Sequence, residues 1–441
     1  MDAYRLFSWE HSYFSGKVRA YLRYKQHFGG LGPGFEDILA TQPIIQQVLV
    51  PATGESNVPQ LQAPDGSWLE DSSRIIDYCE AQHPEPRVTP CPKSTPRQAL
   101  VAHLIELLAD EWMVVYAFWE RWYYSAGEHA QHADYNAQHW GPVFNARGTG
   151  KERAAAARWV FENIFNINDP KAATAGPYAW LPDLGVTDAT IDAWQASNDQ
   201  LLGLLEAHFD RHDYVLGGLP CLADFGLLAP LYAHLFRDAV PGFSLRTQFP
   251  LVAEWVERTN GTNALNARCY NQPLYEPNSA GELTPVPATS DGGALLPDDQ
   301  VPDSLLPILG VFFAEMWPVL TSSMERLTAY LQSGAHAPGA PLPGKTFGPT
   351  PGFEALQTGD GPLTHEFELQ GVRARRMVVP YQVWMLQRLA GVLDECTASA
   401  EGRAAVEALL AEIPMGSSLL ELNERLAGCR MRKENGRLVA A

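Results

Sequence analysis

The chain has 441 residues, 46% hydrophobic and 10% aromatic, enough for two or three cored domains, which excludes disorder of the whole chain. Its formal charge of −19 repels phosphate backbones and anionic lipid surfaces, so neither nucleic acid nor a membrane is an expected partner. The densest basic runs, residues 373–376 and 430–433, are short and read as solvated clusters. None of the six cysteines lies close to another, which argues against a zinc ribbon or a dithiol centre and for a reducing, cytoplasmic setting. No metal is expected. Residues 1–5 lack a basic region followed by an apolar run, so no signal peptide is expected. The most apolar long stretch, residues 305–320, contains Glu315 and Pro318 and falls short of the ~20 residues that span a bilayer.

Residues 1–84 read as mixed α and β. A short strand over 4–9 carries Leu6 and Phe7, and Ser12 opens a helix with Phe14, Val18, Tyr21 and Leu22 at helical spacing. Glycines 29, 30, 32 and 34 then break the pattern, and residues 29–47 do not read as a strand. A strand over 58–62 opens with Pro59, residues 64–67 form a turn, and a last short strand covers 68–69. Asp71 and Ser72 cap a helix carrying Ile75, Ile76 and Cys79. Prolines 84, 86, 90, 92 and 96 close this unit.

Residues 94–270 read as all-helical, with helices over 98–124, 151–165, 186–209, 222–236 and 249–258 and no strand signal. Residues 271–302, rich in Pro, Gly, Ser and Asp, read as a linker or surface loop. Residues 303–441 form a mainly helical extension. Its first helix runs from Asp303 or Ser304 to about residue 332, and a Pro- and Gly-dense loop covers 334–361. A hairpin pairs 365–369 with 372–379 around Gln370-Gly371, and helices follow over 381–396, 404–413 and 418–429. The predicted fold is an α/β unit, then an all-α domain, then this extension.

Three features of the first unit bear on chemistry. A hydroxyl at Ser12, where a helix begins, can donate to a sulfur anion, and the helix N-terminus adds partial positive charge favouring thiolate over thiol. Serines at helix starts are more often simple caps. Val58-Pro59 is a candidate cis peptide that would offer the Val58 backbone to an extended peptide. Asp71-Ser72 combines free helix-start N–H groups, a hydroxyl and a carboxylate, which suits an α-amino-acid head as well as it suits an ordinary N-cap.

In order and spacing, Tyr4-Arg5-Leu6-Phe7-Ser8-Trp9 with Ser12-Tyr13-Phe14-Ser15-Gly16, then Val58-Pro59-Gln60-Leu61, Asp65-Gly66 and residues 69–78, resemble the thioredoxin-like domain of the glutathione S-transferases. The resemblance continues more loosely through 214–218 and 222–227, covering residues 4 to about 260. It implies that Ser12 activates glutathione, that Val58 pairs with its cysteinyl part, that Pro59 is cis, and that Asp71 and Ser72 hold the γ-glutamyl head. It further implies a structural role for Asp224 in a capping box, glutathione as co-substrate, a homodimer and a part in detoxification. Serine rather than cysteine at position 12 disfavours mixed-disulfide reduction. The implied reaction is transfer of the glutathione thiolate to an electrophilic, aromatic or apolar small molecule. A glutathione-dependent isomerase, etherase or dehalogenase is the first alternative, and a non-catalytic binding or scaffold protein the second.

Four departures stand against the pattern. Cys221 replaces the usual capping Ser or Thr, and the glycine-rich 29–47 leaves the partner of the glycyl carboxylate unnamed. Tyr13 is an alternative hydroxyl donor, and the last 160 or so residues exceed the family length. In the family the helix after residue 94 faces the cleft, so Trp112, Tyr116 and Trp119 are candidates for an electrophile pocket, against ordinary core packing. Glu106, Asp110, Glu111 and Glu120 read as a solvated face; His129, His132 and His139 read as a loop without metal-site spacing. The 365–379 hairpin is a candidate lid.

Overall fold

The first sheet is built from four short strands whose order puts the first of them between two different partners. The computed structural model describes residues 3–174, 176–261, 273–286, 293–337, 339–343, 356–359, 361–434 and 437–441. In chain order come β1 (Tyr4–Ser8), α1 (Tyr13–His27), β2 (Phe35–Leu39), the short helices α2 (Gln42–Ile44) and α3 (Val50–Thr53), β3 (Gln60–Gln62), β4 (Trp68–Glu70) and α4 (Ser72–Gln82). The sheet order is β2-β1-β3-β4, with β1 parallel to β2 and antiparallel to β3, and β3 antiparallel to β4. This is a thioredoxin-like arrangement. Leu6 and Leu61 face α1 residues Val18 and Leu22 and α4 residues Ile75 and Ile76 within one buried core.

Strand β2 corrects the expectation for residues 29–47. It is an edge strand without a buried residue, Glu36 exposed and the Asp37 carboxylate bound to Arg19 and Ser8, so no apolar alternation announces it. Backbone pairing with β1 and the left-handed Gly32 and Gly34 before it bring it into the sheet.

The following region holds α5 (Pro96–Leu108), α6 (Val114–Tyr123), α7 (Ala133–Phe144), α8 (Gly150–Asn163), α9 (Pro177–Trp180), α10 (Ile191–Phe209), α11 (Leu222–Pro230), α12 (Ala239–Gln248) and α13 (Pro250–Thr259). A π-helical stretch, Ala109–Met113, joins α5 to α6 into one long rod. Helix α7 was not expected; His139 lies in it, and His129 and His132 sit in the 3₁₀ turn Gly127–His132 that precedes it. It packs on α8 through small residues: a Cβ on Gly141 would come within 2.4 Å of the Arg153 carbonyl oxygen. The buried Asp224 carboxylate accepts from Val215 N–H (3.0 Å), Cys221 N–H (2.9 Å) and Trp255 Nε1–H (3.0 Å), so it organises the start of α11 through backbone donors despite the cysteine at position 221.

Of residues 271–302, those described include a hairpin of β5 (Leu274–Pro277) and β6 (Leu283–Val286). Cys269, residues 287–292 and residues 344–355 lie outside the described residues. Residues 293–302 do not behave as a free linker. Leu296 N–H bonds Leu216 O, and the Asp299 carboxylate accepts from the Arg97 and Gln98 N–H groups at the start of α5, each at 2.9 Å.

The extension comprises α14 (Leu306–Val311), α15 (Trp317–Gln332), β7 (Pro341–Leu342), β8 (Gln357–Thr358), β9 (Gly361–Pro362), β10 (Thr364–Leu369), β11 (Val372–Met377), α16 (Pro380–Cys396), α17 (Ala400–Ala411), α18 (Leu422–Leu426), β12 (Met431–Glu434) and β13 (Arg437–Ala440). The helical run Asp303–Gln332 has the bounds expected; against the reading of 305–320 as too short, its length (30 residues) and the mean hydropathy of its apolar window (1.5) would suffice to cross a membrane, yet 61% of that window is buried inside the protein, as in a core helix. The expected hairpin forms as β10–β11, with both turn residues, Gln370 and Gly371, at positive φ. Phe367 and Leu369 on it are buried in the core, against the lid expectation. One apolar core runs from Leu6 through Leu104, Phe225 and Trp255 to Phe312, Leu386 and Leu438, so the extension shares its interior with both preceding regions.

Candidate functional site

Strand register gathers the residues singled out from sequence. Phe7 pairs with Gln60 and Gln60 pairs with Glu70. Pro59 and Asp71 therefore flank the C-terminal end of β1, the end from which the chain leads to Ser12. Val58–Pro59 is a cis peptide bond, and so is Glu85–Pro86, which no sequence feature marked.

Ser12 is the N-cap of α1 by backbone conformation, but its side chain makes no capping hydrogen bond. It is 9% exposed. Tyr13 differs: its buried hydroxyl donates to the Ala109 carbonyl (2.7 Å) in the π-helical stretch. Burial, then Asp110 and Glu111, push the Tyr13 phenol well above its ordinary pKa.

The residue before Ser12 anchors this loop to the helical region. His11 Nε2 lies 2.8 Å from Asp238 Oδ1 and 3.0 Å from Asn136 Oδ1. Arg121 binds Asp238 Oδ2 through Nε (2.8 Å) and the His11 carbonyl through Nη1 (2.9 Å). Burial and the Arg121 charge lower the His11 pKa to about 4, so the imidazole is neutral at pH 7. No local pattern marked this cluster, because His11 lies more than a hundred residues from each of its partners.

Asp71 caps α4, Oδ1 accepting from Ser73 N–H at 3.0 Å and Arg74 N–H at 3.4 Å. Asp71 and Ser72 are only 8% and 6% exposed, and the extension reaches Asp71 and its neighbour Glu70. The Tyr381 hydroxyl donates to Asp71 Oδ2, and Lys433 Nζ pairs with Glu70 at 2.5 Å.

Beneath them lies a buried ionic network that corrects the solvated-face reading of Glu106, Asp110 and Glu111. Lys17 Nζ contacts Glu106 Oε1 (2.8 Å), Asp110 Oδ2 (2.6 Å) and Ser73 Oγ (3.1 Å). Arg388 from α16 grips Asp77 with two bonds, 2.8 and 2.7 Å, and also binds Glu106. Burial pushes Asp110 up to about 6; Glu106, also buried, is held below the usual carboxylate range by Arg388 and Lys17. No signal in the local sequence marked this: Leu104, Ile105, Leu107 and Leu108 line one side of the helix, and Glu106 and Asp110, one turn apart, share the opposite side as they would on a surface helix.

The three pocket candidates separate. Trp112 is buried, 4.7 Å from the Trp194 ring, with the Arg376 guanidinium 5.7 Å above its centroid. Tyr116 and Trp119 instead meet at 5.7 Å, beside Tyr123, and the Tyr116 hydroxyl donates to Glu120. Glu120 is buried too, so it also leaves the solvated face. Burial raises its pKa to about 7 from 4.5. A raised folded-state pKa stabilises the protein fully below the unfolded value and loses that contribution as pH rises through about 7. Glu120→Gln is therefore expected to raise stability by roughly 1–3 kcal/mol at pH 8 and by much less at pH 5. Urea unfolding at the two pH values checks this; an equal effect at both contradicts it. Among the described residues, no group of three His, Cys, Asp or Glu side chains is arranged to hold a metal ion.

Among solved structures, a glutathione S-transferase from Rhodospirillum rubrum is 17% identical over 64% of this chain and 96% of its own, with a TM-score of 0.37. The beta-etherase LigF from Sphingobium sp. is 17% identical over 61% of this chain and 98% of its own, with a TM-score of 0.37. A glutathione S-transferase from Methylobacterium radiotolerans, in complex with glutathione sulfonate, is 20% identical over 59% and 92%, with a TM-score of 0.34. No curated protein matches the chain. The family model of the glutathione S-transferase N-terminal domain matches residues 6–87, and by that match and its strand order this chain carries a glutathione S-transferase N-terminal domain of thioredoxin-like fold.

Proposed function

We propose that the protein binds glutathione at the C-terminal end of β1 and transfers its thiolate to an electrophilic small molecule. The observation that carries this reading is the Ser12 hydroxyl. It stands at the start of a 15-residue helix and is not spent on capping it, whereas Asp71 at the start of α4 is. A donor left over at the positive end of a helix suits a sulfur anion. The Val58 backbone beside the cis bond would pair with the cysteinyl unit, and Asp71 with Ser72 would receive the γ-glutamyl head. The alternative donor, Tyr13, has its hydroxyl committed to Ala109, so Ser12 is assigned the role.

The test is retention on immobilised glutathione together with thiol transfer to an activated aryl halide. Tyr13→Phe is expected to keep transfer within about threefold of wild type, because the lost bond is a neutral one worth ~1 kcal/mol of stability. A hundredfold loss would move the catalytic hydroxyl to Tyr13. The burial of Asp71 and Ser72, with Tyr381 on Asp71, favours a second reading, a non-catalytic relative that kept the fold. That reading expects neither retention nor transfer.

A further inference from the structure

The extension reaches the junction of β4 and α4 at two points. Tyr381, in the first turn of α16, lies 310 residues from Asp71 in sequence, and Lys433, in β12, lies 363 residues from Glu70. Neither contact belongs to a detachable flap. Arg388, two turns along the helix from Tyr381, holds Asp77 with a bidentate pair and reaches Glu106. Leu386 and Leu389 of α16 lie in the core shared with α5, so undocking this helix would expose a large apolar area. Whatever occupies Asp71 and Ser72 meets Tyr381 as a fixed wall.

We propose that Tyr381 and Lys433 complete the subsite for the γ-glutamyl head and select thiols that carry it; this rests on the reading that Asp71 and Ser72 receive that head. An α-amino-acid head brings one ammonium and one carboxylate. The ammonium would sit against the Asp71 carboxylate. The Tyr381 hydroxyl gives its proton to Asp71 Oδ2 and so keeps its oxygen lone pairs for an ammonium N–H. Burial and Asp71 keep that phenol protonated. The head's carboxylate would lie near Ser72, close to the acids Glu70, Asp71 and Asp110. Lys433 offsets the Glu70 charge there, 12% and 9% exposed side chains respectively, where screening by water is weak.

The experiment is calorimetric titration of the full-length protein with glutathione and with cysteinylglycine, which has the same thiol and glycyl end but no γ-glutamyl head. Wild type is expected to prefer glutathione. Tyr381→Phe and Lys433→Met should each weaken glutathione about tenfold and leave cysteinylglycine unchanged. Lys433→Met, on a terminal strand, decides the matter if Tyr381→Phe does not fold, as judged by its melting curve. Unchanged or tighter glutathione binding by the folded variants, with wild-type preference intact, overturns the proposal: the two residues would then be structural or a mere cover. A wild type that binds neither thiol, or both equally, would instead sink the assignment of Asp71 and Ser72, and this proposal with it.

Discussion

Replacing Ser12 by alanine is expected to lower kcat/KM for glutathione transfer by about 10²–10³-fold, the usual cost of removing one preorganised donor from a developing or resident anion. The melting temperature should barely move. A capping serine costs ~1 kcal/mol when replaced, but Ser12 makes no capping bond to lose. Activity and stability are therefore separable at this position. His11, Asp238 and Arg121 hold the loop from the other side, so alanine at position 12 leaves its backbone in place. A variant that loses activity and stability together would mark Ser12 as a structural cap.

Lys17→Met should have the largest effect on stability. Its ammonium is fully buried between Glu106 and Asp110. Methionine fills the space but leaves Asp110 with no cation, at a cost of ~3–5 kcal/mol. Over a protein of this size that lowers the melting temperature by about 3–5 °C. Adding Asp110→Leu removes the uncompensated charge and should restore most of the loss, a coupling that a double-mutant cycle measures directly. A single variant melting within about 1 °C of wild type, on the order of one kcal/mol or less, would show that the network is not needed.

The elements legible in the sequence were those with strong local punctuation. Ser12 and Asp71 mark helix starts, Gln370-Gly371 marks a hairpin, and the periodic apolar run before Tyr123 marks the long rod. Strand β2 escaped because an edge strand with exposed Glu36 and Asp37 carries no alternation. Helix α7 escaped because Asn136, Gln138, His139 and Pro142 imitate a loop, while its fold depends on contact with α8. The acids of the rod were misplaced for a different reason. A carboxylate is expected in water until its cation is known, and Arg388 lies 282 residues from Glu106. The same separation hid Tyr381 and Lys433: local pattern carries no information about which distant side chain closes a site.

The most direct test of a serine-stabilised thiolate is the ionisation of glutathione bound to the protein, followed by thiolate ultraviolet absorbance as pH is raised. A free thiol ionises near ~8.5, and the account predicts that the bound thiol ionises at least one unit lower in wild type and returns towards the free value in Ser12→Ala. Bound glutathione that titrates like free glutathione, or that keeps its lowered value without the Ser12 hydroxyl, would contradict it.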